Sequence, residues 1–495
     1  MTNPIKGISY QKKDKSYFEA RELKRHAGVW SLWALGVGAV ISGHFSGWNL
    51  GLASGGWGGM LLATIIIAIM YIGLTQCVAE MSPALPHTGG AYSFARSSMG
   101  PWGGFFTGLV ENMEYILTPA VIVFFISTYM SGIFDTGPES LPFWWFAFYA
   151  FFTFLNILGV ELSFRLAVVV TILALLCLIV FWVSSFGNLD FSTNALNIKA
   201  GANGEAELLP GGHGKFLPMG FAGALAALPF AVWLFLAIEQ LPLAAEESID
   251  PKKDMPKGLT YGMITLIISA FMIIWLNSSI SLGAFALSQS GEPLLDGFKT
   301  LYGSNIAKGL TLIAVIGLIA SFHTIIFAFG RQIYSLSRAG YFPVALSLTH
   351  KKRKTPYSAL ITGSVIGFLV LLLTRFLAGA EQSEIFIGGA LLNMAVFSAM
   401  LSYVLQSASF LLLRRNRPGL HRPYVSPLGK PGAWVTIIIA LLTIYYQLQD
   451  GSYRIAVFSA IAYLFIGLIY FAIWGRHRLI LSPEEEFAIS KKEGI

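Results

Sequence analysis

Long apolar runs, each about the length of a membrane span, recur along this chain and constrain its fold more than any other feature. A helix needs ~20 predominantly apolar residues to cross a bilayer. Only 12% of the residues are charged, whereas soluble domains carry ~25%. The sequence therefore predicts an all-α membrane protein of about twelve transmembrane helices. The predicted spans are 29–53, 57–80, 101–131, 141–159, 164–187, 218–243, 258–284, 305–334, 357–376, 383–412, 432–448 and 453–475.

Lys and Arg are distributed unevenly between the two sets of loops. With the N-terminus inside, 27 of the 33 fall in inside stretches and 6 in outside stretches. Basic residues accumulate in cytoplasmic loops, so this bias predicts cytoplasmic N- and C-termini. It also accounts for the net charge of +7 without a nucleic-acid partner. The first 28 residues contain no apolar core before a cleavage site, so we expect no cleaved signal peptide.

A long Gly- and Asn-rich loop divides the predicted spans into two comparable units. We expect a cytoplasmic tail at 1–28, a first repeat of five spans at 29–187, an extracytoplasmic loop at 188–217, a second repeat at 218–412, two further spans in 413–475, and a cytoplasmic tail at 476–495. This organisation predicts a five-plus-five inverted repeat with two appended helices, as found in many secondary transporters.

The first span of each predicted repeat contains residues that interrupt a helix. Span one carries Gly36, Gly38, Ser42, Gly43, His44, Ser46, Gly47 and Asn49. Span six carries Pro229 and Pro242. Interruptions at matching places in two halves indicate a binding site, because broken backbone at membrane depth survives only where it lines a cavity. The alternative is that the glycines serve helix packing and the prolines only kink span six.

Three carboxylates, those of Glu111, Glu114 and Glu239, lie well inside predicted spans. A charge at bilayer depth costs at least ~2.5 kcal/mol. No Lys or Arg occurs in a span core, and His44 and His323 are the only basic candidates there. The acids therefore favour a cationic substrate, whose ammonium supplies the missing charge. The alternative is that a glutamate is protonated or hydrogen-bonded and only joins two helices.

Aromatic side chains accompany these acids. Tyr115 falls on the same face of span three as Glu111 and Glu114, and Trp233 and Phe235 precede Glu239. Together with Trp48 of span one, they could surround a cation through cation–π contacts.

Several motifs resemble those of the amino acid–polyamine–organocation (APC) superfamily of permeases, over nearly the whole chain. They are Glu80-Met-Ser-Pro-Ala-Leu-Pro-His-Thr-Gly-Gly-Ala-Tyr92, Ala245-Glu246-Glu247 with Met255-Pro256-Lys257, Arg331-Gln-Ile-Tyr-Ser-Leu-Ser-Arg338 with Gly340 and Pro343, Lys354-Thr355-Pro356, and Arg422-Pro423-Tyr424. Within the superfamily the chain looks most like bacterial ethanolamine permeases. The stretches behind that likeness are Val40-Ile-Ser42-Gly43 with Gly47-Trp48-Asn49, Val232-Trp-Leu-Phe-Leu-Ala-Ile-Glu239, Ser321-Phe322-His323, and Asn393-Met-Ala-Val-Phe397 with Ser402-Tyr403-Val404.

The resemblance implies a transporter of the bacterial inner membrane with discontinuous helices one and six and no cofactor or metal. Three departures from the amino-acid-carrying relatives matter. His44 and Phe45 are bulky where those relatives cradle a carboxylate on helix one. Ala237 or Ile238 stands where they tend to have a glycine, which weakens the prediction of an unwound helix six. No lysine occurs near Ala174, where proton-coupled members often have one, so that coupling mechanism is in question.

These considerations predict uptake of ethanolamine or a similar small cationic amino-alcohol, with a proton as the candidate coupling ion. The predicted substrate-binding residues are Ser42, Gly43, His44, Trp48, Glu111, Glu114, Tyr115, Trp233, Phe235, Glu239, Ser321 and His323. Glu114 and Glu239 would be the counter-charges, Glu111 a neighbouring or proton-carrying acid. Ser321 and His323 would meet the hydroxyl or take part in coupling.

Two other functions remain open from the sequence, an amino-acid or polyamine permease and a transporter-like nutrient sensor. We expect no soluble signalling domain, which disfavours the sensor. An enzyme is not expected, because no nucleophile–base pair, phosphate-binding loop or metal-ligand spacing is present.

Overall fold

The computed structural model of the chain describes residues 7–19, 21, 23, 25–87, 89–378 and 384–490. Outside them lie the ends of both predicted tails, 1–6 and 491–495, and Thr88 of the motif after span two. Within the described part, ten helices are long and apolar enough to cross a membrane. Two interrupted segments, spans one and six, bring the total to the predicted twelve.

The uninterrupted spans agree with the sequence prediction to within several residues. Spans two to five lie in the helices Gly51–Ala84, Gly90–Phe134, Leu141–Leu158 and Val160–Ser185. Spans seven to twelve are the helices Pro251–Ser279, Ser304–Arg338, Tyr357–Ala378, Glu384–Asn416, Gly429–Gln449 and Arg454–Ile473. The helix Gly51–Ala84 bends at Gly56 (φ 66°), and the helix Gly90–Phe134 bends at Gly100 (φ 81°). Spans two and three therefore begin after these bends, at the predicted residues 57 and 101.

Spans one and six are each built from short pieces. Span one comprises Val29–Val40, Ser42–Phe45, the 3₁₀ turn Trp48–Leu50 and the first residues of Gly51–Ala84. Span six comprises Gly220–Ala226, Leu228–Val232 and the 3₁₀ helix Ile238–Glu247. Because four crossings, spans two to five, lie between span one and span six, the two run in opposite directions, as an inverted repeat requires.

Short elements close the two sides of the helical bundle. The short helices are Lys15–Glu19, Pro138–Ser140, Phe186–Asn188, Phe191–Ala195, Gly283–Leu287, Pro293–Tyr302, Val344–Ser347, Gly475–His477 and Pro483–Ser490. Tyr10–Gln11 pairs in parallel with Leu479–Ile480, and Ile198–Ala200 pairs antiparallel with Ala206–Leu208. The first pair defines the terminal side of the bundle, which carries residues 7–28 and 475–490. The second pair lies on the opposite side.

The outer surface of the bundle is apolar. Phe376 and Ile455 are about four-fifths exposed, and many other large apolar side chains of spans four, five, nine and twelve face outwards. A soluble monomer rarely exposes contiguous apolar area on this scale, so this surface is suited to lipid.

Candidate functional site

The break in helix one lies against the break in helix six. After Phe45 the backbone extends at Ser46 (φ −160°, ψ 158°) and turns at Gly47 (φ 95°), a conformation that favours glycine. A side chain at Gly43 would overlap the carbonyl oxygen of Trp233. Trp233 Nε1 donates a hydrogen bond to Ser46 O at 3.1 Å, which satisfies a carbonyl that the interrupted helix leaves free. Gly43, Ser46 and Trp233 are thus brought together where the two helices are interrupted.

Helix six is unwound without a glycine. Its helical part ends at Val232, and Ala237 adopts the left-handed conformation (φ 84°, ψ 5°) before the 3₁₀ helix begins at Ile238. The missing glycine had weakened the prediction that helix six is unwound, and this inference from the missing glycine is wrong. Ala237 N donates to Glu239 Oε2 at 3.1 Å, so the carboxylate helps to hold the unusual turn.

Glu114 of span three and Glu239 of span six meet at the centre of the bundle, where their carboxyl groups are neighbours. Tyr403 Oη of span ten donates to Glu114 Oε1 at 3.4 Å and lies 3.0 Å from Tyr71 Oη of span two. The ring of Phe235 packs 5.5 Å from that of Tyr71, measured between centroids. Two acids thus sit within a wall of aromatic rings.

Glu111 lies one helical turn from Glu114 and is satisfied by other groups. Gln332 Nε2 of span eight donates to Glu111 Oε2 at 3.0 Å, and Tyr115 Oη lies 3.5 Å from Glu111 Oε1. The carboxylate of Glu111 is therefore anchored on both oxygens by neutral donors.

No ion pair among the described residues involves any of these three acids. Glu114 Oε2 and Glu239 Oε1 also lack a hydrogen-bond partner within that part of the chain. All three residues are at most 3% exposed. Buried charge of this kind is costly unless a cation or a proton compensates it.

The two histidines are engaged elsewhere. His44 Nε2 lies 3.1 Å from Ser269 Oγ of span seven. His323 contacts Asn156 Nδ2 through Nδ1 at 3.1 Å and Ser163 Oγ through Nε2 at 2.9 Å, between spans four, five and eight. The structure gives neither histidine a contact with the acids.

Ser321 braces helix one. Its hydroxyl accepts from Ser42 N at 2.8 Å and donates to Gly38 O at 2.6 Å. Trp48, at the restart of helix one, is fully buried with its Nε1 unpaired in the described structure.

The backbone amides around the break in helix one are largely occupied. Besides the amide of Ser42, those of His44, Ser46 and Gly47 donate to Ile41 O, Ser42 O and Asn49 Oδ1, respectively. A substrate carboxylate would need free amides here, as in the cradle of amino-acid carriers. This turn therefore offers a carboxylate few donors.

Three side chains at the acids were not among the predicted site residues. Tyr71 is a polar residue within an apolar helix, and Gln332 appears in the sequence only as part of the motif that begins at Arg331. Tyr403 appears in the sequence only as part of a motif. Only the packing of spans two, eight and ten against span three brings them to the carboxylates.

The two sides of the bundle differ in how they are closed. On the terminal side, Arg331 pairs with Glu247 at 2.8 Å and Arg338 pairs with Glu246 at 2.7 Å. On the opposite side a cavity of ≈ 570 Å³ opens, lined by Leu50, Phe124, Phe125, Thr128, Ser131, Gly132, Asp135, Thr136, Gln289, Ser290, Gly291, Glu292 and Asp296. Phe124 lies ten residues beyond Glu114 on span three, or about 15 Å along the helix. None of the three acids lines this cavity, and the two arginine pairs lie on the terminal side.

Glu292 contributes a titratable group at the mouth of this open cavity. Burial raises the pKa of Glu292 to about 7, and Lys299, 3.3 Å away, opposes that shift.

Comparison with known proteins identifies the class. The profile of the family described as amino acid permease matches residues 32–482. The chain belongs to the amino acid permease family. It is 28% identical to an uncharacterized transporter of Rhizobium meliloti, over 87% of this chain and 88% of that one. It is 25% identical to a branched-chain amino acid permease of Bacillus subtilis (92% and 94%) and 23% identical to a D-serine/D-alanine/glycine transporter of Escherichia coli (87% and 90%).

The fold is shared with a solved transporter. A manganese transporter of Eremococcus coleocola, crystallised with an aromatic bis-isothiourea compound, superposes with a TM-score of 0.51 at 13% identity, over 92% of this chain and 97% of that one. These results confirm the predicted superfamily and the five-plus-five transporter fold. They also confirm that this permease is a transporter rather than an enzyme, with a small-molecule substrate.

Proposed function

We propose that this permease transports ethanolamine, or a similar small amino-alcohol in its ammonium form, by alternating access. The observation that carries the proposal is the group of three buried carboxylates, beside which the described part of the chain places no cation. A bound ammonium would compensate Glu114 and Glu239 and reach their two unpaired oxygens. The rings of Phe235, Tyr71 and Tyr403 would surround it.

The amino-acid permease function, suggested by the names of the relatives, is the alternative. An amino acid needs a carboxylate site as well as an ammonium site. The paired amides at helix one make that turn a poor carboxylate site, and this supports an amino-alcohol over an amino acid. A hydroxyl needs only one donor or acceptor, which the phenol of Tyr71 or Tyr115 would supply.

The remaining predicted residues fall into three roles in this proposal. Glu111, held by Gln332 and Tyr115, is the candidate site for a coupling proton. Ser42, Gly43, Trp48 and Trp233 shape the broken helices around the substrate. His44, Ser321 and His323 hold the scaffold through the contacts described above. For Ser321 and His323 this replaces the hydroxyl or coupling role predicted from the sequence.

For the cell, we infer a bacterial inner-membrane protein with both termini cytoplasmic, supported by the excess of Lys and Arg on the terminal side. The open cavity would then face outwards and the paired arginines would close the cytoplasmic side. Substrate would enter through the cavity, and its release would require the Arg331–Glu247 and Arg338–Glu246 pairs to separate.

Uptake into proteoliposomes tests the substrate. Purified protein should accumulate labelled ethanolamine, and alanine, 4-aminobutyrate and putrescine should compete weakly. Accumulation of labelled alanine without ethanolamine uptake would establish the amino-acid function instead. Stabilisation of the protein by ethanolamine without any flux would indicate a sensor.

A further inference from the structure

A basic pocket lies at the terminal-side end of spans four and five. It has a volume of ≈ 350 Å³ and is lined by His26, Glu161, Arg165, Lys352 and Arg353, together with Leu158, Gly159 and Leu162. We call it the headgroup pocket. Span four ends at Leu158 and span five begins at Val160, so the pocket lies where the helices reach the boundary between bilayer and water.

The headgroup pocket carries net positive charge. Its one acid, Glu161, already pairs with Arg165 at 2.6 Å. No acid among the described residues pairs with Lys352 or Arg353. Two unneutralised cations therefore face the pocket.

The first turn of span five adds backbone donors. This helix of 26 residues has no side-chain cap, and its first residues line the pocket. The first N–H groups of a helix lack internal partners and favour anions, phosphate above all. The pocket thus combines free amides with two free cations.

The basic loop is fixed in place against span four. Thr355 Oγ1 donates to Ile157 O at 2.9 Å, and the loop closes on itself through His350 N to Thr355 O at 2.8 Å. Lys352 and Arg353 are at the tip of this closed turn. Their position over the pocket is therefore set by the fold rather than by the free length of the loop.

An apolar groove begins near the headgroup pocket and runs along the outside of the bundle. It has a volume of ≈ 370 Å³, lies between spans four and nine, and is lined by side chains that include Phe146, Ala150, Ile157, Val365 and Phe368. We call it the tail groove. Ile157 lines the tail groove and the next residue, Leu158, lines the headgroup pocket, so both lie at the same end of span four.

We propose that the headgroup pocket and the tail groove bind one anionic phospholipid of the leaflet on the terminal side. Its phosphate would contact Lys352, Arg353 and the first amides of span five, and an acyl chain would lie in the tail groove. Basic pockets between transmembrane helices are suited to anionic headgroups, and the adjoining apolar groove distinguishes a lipid from a soluble phosphate. This site is remote from the buried acids and does not depend on the transported substrate.

Lipid retention by the full chain tests the proposal. The protein is placed in nanodiscs of equal phosphatidylglycerol and phosphatidylethanolamine, and retained lipids are counted by native mass spectrometry. We expect preferential retention of one phosphatidylglycerol, reduced roughly tenfold in Lys352→Gln/Arg353→Gln because two cations near the headgroup are lost. Arg415→Gln/Lys430→Gln removes two exposed charges elsewhere on the terminal side and should leave retention unchanged. Equal retention of the two lipids by the unmodified protein would overturn the proposal.

A second pair of variants tests the tail groove. Ala150→Trp fills the groove with an aromatic ring and should lower phosphatidylglycerol retention, while Ala462→Trp, on the exposed face of span twelve, should not. Unchanged retention in Ala150→Trp would contradict the acyl-chain contact. Inorganic phosphate, added at millimolar concentration, should neither displace the lipid nor raise the melting temperature. If it does both, the pocket binds free phosphate and the lipid assignment fails.

Discussion

Two groups of buried glutamates in this permease differ in a single respect. On the terminal side Glu80, Glu247 and Glu485 are at most 2% exposed, and each contacts an arginine: Arg414, Arg331 and Arg96, respectively. At the centre of the bundle Glu111, Glu114 and Glu239 are equally buried, yet no cation of the described chain contacts them. The two groups of glutamates therefore do not differ in burial. They differ in whether an arginine of the protein contacts the carboxylate. The terminal acids complete the protein's own structure, whereas the central acids lack such a partner among the described residues, and our proposal assigns them a substrate cation or a proton.

Removing one partner from a terminal pair should have the largest effect on stability. Arg331→Gln leaves Glu247 buried and unpaired, and breaking a buried pair costs about 3–5 kcal/mol. Thermal and denaturant unfolding of the purified protein in detergent measures this loss. Replacing both residues, as Arg331→Met/Glu247→Leu, should recover most of it. A loss below about 1 kcal/mol would remove the contrast between the two groups, since exposed pairs contribute that little.

Neutralising a central acid should affect transport and leave the fold intact. For Glu239→Gln we expect ethanolamine affinity to fall about 100-fold, because losing one partner of a buried charge pair costs 2–5 kcal/mol. The unfolding free energy should not decrease, since the buried charge is removed. Glu139→Gln, at an exposed site on the opposite side, is the control for transport and should have no effect. If Glu239→Gln lowered the unfolding free energy but left ethanolamine affinity unchanged, Glu239 would belong with the structural acids of the terminal side.

The aromatic wall should contribute less than the charges. Tyr403→Phe removes the hydroxyl that contacts Glu114 and Tyr71 but keeps the ring. A hydrogen bond of this kind contributes about 1 kcal/mol, so ethanolamine affinity should fall about fivefold. Competition binding measures the change, with Tyr445→Phe on the exposed face of span eleven as the matched control. A loss as large as that of Glu239→Gln would mean that the phenol, and not the carboxylate pair, dominates the site.

The unwound turn of helix six should carry measurable strain. Ala237 has φ 84°, which costs a non-glycine residue roughly 1–2 kcal/mol. Ala237→Gly should therefore raise the unfolding free energy by up to about 1 kcal/mol once the flexibility of glycine in the unfolded chain is included, and transport should persist. Ala237→Val should destabilise the protein. A higher unfolding free energy for Ala237→Val and a lower one for Ala237→Gly would contradict the left-handed conformation of Ala237.

The smallest effect concerns Glu292, which pairs with Lys299 as the terminal acids pair with arginines but is 20% exposed. Its pKa is raised to about 7 by burial, so it is neutral at pH 6 and ionised at pH 8. Asp296, Asp135 and Lys299 lie around the same cavity mouth, and an amine substrate stays protonated over this range. Ethanolamine exchange at low concentration, measured at equal pH on both sides of the membrane so that no proton gradient contributes, should rise about two- to threefold from pH 6 to pH 8 as the mouth gains negative charge. Glu292→Gln should flatten this rise. An unchanged pH profile in this variant would show that Glu292 is not the source of the rise.

The same raised pKa predicts a change in stability. The folded protein holds the proton of Glu292 more tightly than the unfolded chain does. The contribution of Glu292 to stability is therefore fully present below the unfolded pKa, near 4.5, and is lost as the pH rises through about 7.

The spans could be predicted because length and hydrophobicity alone determine them. The predicted starts at 57 and 101 agree with the bends at Gly56 and Gly100, since a glycine with positive φ separates two apolar runs that would otherwise merge. The three acids could likewise be identified, because a carboxylate within an apolar run is costly wherever it lies.

The contacts between spans could not be predicted in the same way. Ser321 and His323 are polar residues at membrane depth, as the acids are, but they face helix one and spans four and five. Ala237 shows a second gap, since the turn it forms is stabilised by Glu239 and by the packing of helix one, which no residue preference reveals. Which polar residues meet depends on the rotation of each helix, and an all-round apolar helix contains little information about its rotation.

Equilibrium binding to the purified protein tests the central claim most directly. Labelled ethanolamine and labelled alanine are each titrated against the unmodified protein and against Glu239→Gln. Our account predicts saturable ethanolamine binding to the unmodified protein, weakened about 100-fold in the variant, with alanine binding weakly to both. Tight alanine binding that survives Glu239→Gln, with no ethanolamine binding, would contradict it.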